Sequence, residues 1–240
     1  MSPHLDDAVL SAGAALYEWA LEGHDVVVHT MLAGIAEPPF SPLARGLHLV
    51  CRLRQDPVGV RRQEDVTALG RVGATVQHGV FLDSIYRRTG DGWVFGKLQQ
   101  LTEPYEDAAF SARLTRSVTA LLTWAPDLVL TAAAIGSNVD HVLVRDAVLN
   151  AAKADGVQVK LWQDMPYAAR TDHMPALPPH ASIGAVEARP MSVDGWSAKC
   201  DAVACYTSQV PMLWPRQPDF RTALEAHGRI ESFWPVSFDR

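Results

Sequence analysis

The sequence predicts an α/β domain with a mainly parallel sheet. Two observations carry this expectation: short apolar runs of strand character alternate with helix-period segments, and Gly, Pro, Asp and Asn punctuate the junctions. A third is that 240 residues, 48% hydrophobic and 20% charged, fit one domain spanning 1–240 with a substantial core.

Taken in order, Asp6 and Asp7 stand at a helix start. Ala8 to Glu22 then carries Leu10, Ala14, Tyr17 and Leu21 at helical spacing, with Gly23 at the end. Val26 to Ala33 reads as a buried strand. The Pro-rich stretch from Glu37 to Pro42, extended to Asp56, reads as a long loop that serves as a lid or substrate wall. Val60 to Leu69 is a predicted helix and Thr75 to Leu82 a strand. The turn Thr89-Gly90-Asp91-Gly92 joins Ile85–Arg88 to Trp93–Phe95 as a hairpin. Glu106 to Trp124 is the longest predicted helix, stopped by Pro126-Asp127. Leu128 to Ala133 is a strand, Gly136 to Asp140 a loop, Val142 to Ala154 a helix and Val157 to Trp162 a strand. Beyond Pro166 the pattern weakens to a strand near Ile183–Ala188 and a helix over Gly195–Thr207.

The net charge of −6 argues against a nucleic-acid or anionic-membrane binder that works by bulk charge. Cys51, Cys200 and Cys205 form no CxxC pair, which fits reduced thiols rather than a disulfide framework or a cysteine zinc site. No run approaches the roughly 18 apolar residues of a membrane span, and no secretory signal is evident. The expected location is the cytoplasm, and the expected partner is a small molecule.

Chemistry concentrates in two places. Pro3-His4-Leu5-Asp6-Asp7 runs straight into a helix, and imidazole with carboxylate suits zinc and other divalent metals. Of two adjacent acids on a tight turn, one can ligate while the other takes a proton. The competing reading is a helix cap beside an ordinary loop histidine. Asn138-Val139-Asp140-His141 follows a strand and opens another helix. Loops at the carboxyl ends of strands converge on one crevice in open α/β sheets, so the two segments can complete a three-ligand site with an open position for water.

With Asp140-His141, the Pro3–Asp7 segment resembles the PIG-L/LmbE family of N-acetylglucosaminyl de-N-acetylases. The likeness continues, in the family's order, through Arg61–Asp65, Phe81–Arg87, Trp162–Tyr167, Lys199, Tyr206–Gln209 and Glu231–Val236, and so covers nearly the whole chain. Ser2–Leu10, Pro38–Pro42 and Phe81–Arg87 are most similar to the members that deacetylate glycopeptide antibiotic precursors. The resemblance implies a Rossmann-like three-layer fold. It also implies zinc, or another divalent ion such as ferrous iron, on His4, Asp7 and His141, with Asp6 as general base. Asp83 then falls where members bind the sugar, with Arg61, Glu64 and Tyr167 around the substrate. Asp140 is either an orienting partner for a ligand or a helix cap. The implied reaction removes an acetyl or small acyl group from an amino sugar or amine of a secondary metabolite. An amidase for larger amides is an alternative.

Two departures from the family pattern stand out. Asn138 occupies a position where members carry a histidine, and asparagine cannot cycle a proton near neutrality. That leaves room for a member that binds ligand without turnover. In addition, only Met1-Ser2 precede Pro3, where the family has a strand, so the first strand is expected to be missing or truncated. His78 and His173 are the histidines to inspect as substitute acids, and Tyr86, Trp162, Tyr167 and Trp196 as stacking partners for a sugar.

Overall fold

The structure, a computed structural model, describes residues 1–90, 92–215 and 219–239. Helix α1 (Asp7–Leu21) is buried from Asp7 through Leu16 and rich in Ala and Gly, which lets neighbours approach closely. It leads to β1 (Val27–Thr30), α2 (Pro42–Val50), α3 (Pro57–Arg71) and β2 (Thr75–His78). A short hairpin of β3 (Arg88–Thr89) and β4 (Gly92–Trp93) follows; Asp91 of its expected turn lies outside the described residues. Next come α4 (Ala108–Leu122), β5 (Leu128–Ala132), α5 (Val139–Asp155) and β6 (Gln158–Trp162). The chain continues through β7 (Ala181–Ile183), β8 (Glu187–Pro190), α6 (Val193–Val203), α7 (Val210–Leu213) and α8 (Phe220–Glu225), and ends on β9 (Ile230–Phe238).

Alternation along the strands divides the core. Val28, Ala132, Trp162 and Phe233 pack with α1, α3, α6 and α8. Val129, Val159 and Leu161 face the other way, onto α4 and α5. Helices therefore cover both faces of the strands, and the fold is mixed α/β. The expectation of a mainly parallel, Rossmann-like sheet needs correcting. β1 pairs β2 and β5 pairs β6 in parallel, but β9 runs antiparallel to β6, β7 and β8. The sheets are small and mixed because β9 returns antiparallel, with β6 along one edge and β7 and β8 along the other. Between β1 and β5 the expected first strand is reduced to a stub. Ser2 forms a single parallel bridge with Thr30, and the Met1 amine donates to the Leu130 carbonyl at 2.8 Å.

The stretch predicted as a loop from Glu37 to Asp56 contains α2. Pro42 fits the first helical turn, and Ser41 Oγ accepts the Ala44 N–H at 2.9 Å while donating to the Ile85 carbonyl. Its outer side leaves Leu49 and Val50 exposed. The region near Ile183–Ala188 is two strands, not one. All three cysteines are free thiols. Among the described residues no helix is long and apolar enough to cross a membrane.

Candidate metal centre

Five loops meet beyond the carboxyl ends of the strands: Pro3–Asp7, the segments after β1 and β2, Ala133–Asn138 after β5, and Gln163–Tyr167 after β6. The loops after β1 and β2 are held main chain to main chain. Gly34 N donates to Phe81 O at 2.8 Å, and a Cβ on Gly34 would lie 2.4 Å from Val80 O, so only glycine fits. The loop into α5 is drawn tight, with Ala134, Gly136 and Ser137 all at left-handed φ (64°, 89° and 62°). Strain of this kind persists where surrounding structure enforces it, often at functional sites.

At the first turn the His4 N–H donates to Asp7 Oδ2 at 2.8 Å, which folds the two side chains together. Asp7 Oδ2 lies 3.4 Å from His4 Nδ1 and 3.2 Å from His141 Nε2. Ligand atoms of His4, Asp7 and His141 all fall within 4.8 Å of one another. Each imidazole turns its other nitrogen to a buried carboxylate: His4 Nε2 to Asp140 at 3.1 Å, and His141 Nδ1 to Asp164 at 2.7 Å. Such outer partners fix the ring and its tautomer, leaving the inner nitrogens for a cation. His141 Nε2 is buried and, despite the nearby Asp7 oxygen, has no hydrogen-bond partner. The donor set therefore fits a divalent metal. Its electrostatics agree. Burial alone would lower His141, but Asp7 and Asp164 outweigh it and lift it to about 9. His4 is likewise raised, burial being overcome by Asp83, Asp140 and Asp7. Carboxylates that hold a proton on each ring this firmly would equally hold a metal cation.

Asp6 sits beside this cluster but makes no capping bond to α1. Burial, followed by the Asp7 charge, pushes its carboxyl up to about 7, against the pull of Arg61 and His4. Arg61 lies between two acids, 3.8 Å from both Asp6 and Asp83. Asp83 divides its oxygens. Oδ1 accepts the Ile85 N–H at 3.1 Å, while Oδ2 faces Arg61 and His4. One side chain thus forms the turn and faces the cluster at the same time.

The other expected residues divide. Glu64 gives both oxygens to the turn at Thr207-Ser208, with contacts of 2.6–2.8 Å. Asn138 caps α5, its Oδ1 accepting the Asp140 N–H at 2.9 Å. Asp140 is wholly buried and accepts from His4, Ser84 N and Arg87. Tyr167 sets its ring edge-on to His141 at 5.4 Å between centroids and packs on Gly136. His78 is tied to Asp65 and Arg62, and His173 is exposed. Trp162 belongs to the core; Tyr86 bonds His48 at 2.8 Å, with Phe40 packed on both.

Residue-level reasoning missed two members of this assembly, Asp164 and Arg87. Asp164 had a usable signal, since it is the acid just past the carboxyl end of a parallel strand. Arg87 had none beyond its nearness to Asp83.

The family model for GlcNAc-PI de-N-acetylase, PIG-L, matches residues 1–152. The chain belongs to the PIG-L family. Among solved structures, a deacetylase of the teicoplanin biosynthesis pathway, in complex with bog, superposes with a TM-score of 0.90. It is 35% identical, over 99% of this chain and 96% of that one. The zinc-inhibited form of teicoplanin deacetylase Orf2 gives 0.85 at 35% identity, over 99% and 97%. The A40926 pseudoaglycone deacetylase Dbv21 gives 0.86 at 34%, over 99% and 95%. No curated protein sequence matches the chain. Matches at 34–35% across nearly whole chains place this PIG-L member beside deacetylases of glycopeptide antibiotic biosynthesis.

Proposed function

We propose that residues 1–240 act as a single metal-dependent N-deacetylase, which removes an acetyl or small acyl group from the amino sugar of a glycosylated secondary metabolite. The observation that carries this reading is the convergence of His4, Asp7 and His141 around an unpartnered Nε2, with the proton-accepting Asp6 beside them. Zinc suits two imidazoles and a carboxylate, and ferrous iron would bind the same donors. When bound, the ion would polarise the amide carbonyl and acidify water at the open position.

The protein's own groups supply the remaining steps. Asp6, poised near neutrality, takes the proton of the attacking water and returns it to the departing amine. Arg61 and the free oxygen of Asp83 hold sugar hydroxyls across from the metal ligands. Tyr167, kept protonated by burial and by Asp7 and Asp6, donates a hydrogen bond to the developing oxyanion. Asp140 and Asp164 orient the ligand histidines. Glu64 shapes the wall by fixing the turn at Thr207-Ser208, and the α2 segment forms the rim.

Amine release from a panel of N-acetylglucosaminides, including glycopeptide pseudoaglycones, tests the proposal on metal-loaded protein. Turnover is expected, and its loss in Asp6→Asn. Asn138 favours a second reading, a member that binds without turnover, because it gives its side chain to capping and carries no transferable proton. That reading requires metal and sugar to bind while hydrolysis stays at background, with Asn138→His restoring rate.

A further inference from the structure

Arg87 follows the short 3-10 turn of Ser84–Tyr86 and points inward, only 6% exposed. Its guanidinium is enclosed by three rings, 4.3 Å from the centroid of Phe110, 5.4 Å from Phe95 and 5.7 Å from Tyr105. Nη2 donates to Asp140 Oδ1 at 2.6 Å, and Nε and Nη1 are buried without hydrogen-bond partners. A buried guanidinium with one ion-pair partner carries a large desolvation cost, which the ring faces offset only in part. Core packing alone would be served better by an apolar side chain.

Asp140 is where that cation acts. Its Oδ1 is held by Arg87; its Oδ2 accepts from Ser84 N at 2.8 Å and from His4 Nε2 at 3.1 Å. A carboxylate gripped from two sides cannot rotate. It therefore presents one fixed oxygen to His4, whose other nitrogen faces Asp7 and the ligand cluster. Without the grip, a different Asp140 rotamer would leave His4 free to turn within the pocket.

We propose that Arg87 is a positioning residue for the metal centre, setting the ring orientation and tautomer of His4 through Asp140 across three side chains. The inference rests on the reading of His4, Asp7 and His141 as a metal site. Arg87 touches neither the ligand cluster nor the proposed sugar-facing groups, so its effect must travel through Asp140.

The test measures metal affinity by competition with a chromogenic chelator, together with the visible spectrum of the cobalt(II)-loaded protein. Arg87→Met, checked for folding by thermal melting without metal, should weaken metal binding by roughly 10–100-fold and alter the cobalt spectrum. Arg87→Lys keeps the charge but not the fork; it should recover part of the affinity, and serves alone if the methionine variant does not fold. Affinity and spectrum equal to the parent in either folded variant would overturn the proposal while leaving the deacetylase reading intact. A parent that binds no metal would overturn both.

Discussion

Replacing Asp6 by asparagine should abolish hydrolysis and yet stabilise the metal-free protein. An aspartate titrates at 3.8 when free, whereas Asp6 is pushed up to about 7 in the fold, first by burial and then by Asp7. Tenfold in proton affinity corresponds to about 1.4 kcal/mol. Keeping Asp6 ionised above pH 7 therefore costs the fold up to about 4 kcal/mol. Below pH 3.8 the group is protonated in both folded and unfolded chains and the cost vanishes. It grows as pH rises to 7 and is constant beyond. Asparagine removes the charge but brings an amide that needs partners of its own, so about 2 kcal/mol of gain is expected to survive at pH 8. For a chain of this size that is an upward shift in Tm of about 4–8 °C. Scanning calorimetry on chelator-treated parent and variant, at pH 8 and pH 5, reads the effect, with the difference shrinking towards zero at pH 5. Equal Tm at pH 8, or a gain independent of pH, would show that Asp6 is not a strained carboxylate and remove the basis for calling it the base.

Asp164→Ala should weaken metal binding by about 10–100-fold, because His141 loses the acceptor that fixes its ring; equilibrium dialysis against a metal buffer measures this. Tyr167→Phe should lower kcat by about 10²–10³ with KM little changed, as expected for a donor acting in the transition state; steady-state amine release separates the two constants. Lys199→Met should destabilise the fold by about 3–5 kcal/mol in urea titration. It leaves Glu231 buried with only the Ala14 and Ala15 amides for company.

What could be read in advance was what lies close together along the chain. The helical spacing after Asp7 and the run after Asn138 place α1 and α5 within a few residues of their observed starts, and those starts carry His4, Asp6, Asp7 and His141. β9 was legible only through family likeness. Pro235 and the polar Glu231, Ser232 and Ser237 blur a strand pattern, and its hydrogen bonds go to segments far away in sequence. The antiparallel character of the sheet was hidden with it. α2 was obscured by the prolines around it, one of which opens the helix. Asp164 and Arg87 act across separations of 23 and 53 residues, where no local spacing rule applies.

The main-chain clasp between the loops after β1 and β2 has an evolutionary consequence. Gly34 and Gly79 let backbone meet backbone, Gly79 N reaching Thr30 O at 2.7 Å, so the position of Asp83 does not depend on side chains that drift. Immediately before and after Gly34, the chain commits in opposite ways: Ala33 is buried, whereas Ile35 is exposed, and the exposure continues at Leu49 and Val50 on α2. Family members that part company over which acyl group or scaffold they accept should therefore differ between residues 35 and 50. The lineage can rewrite that segment repeatedly while Asp83 keeps its place.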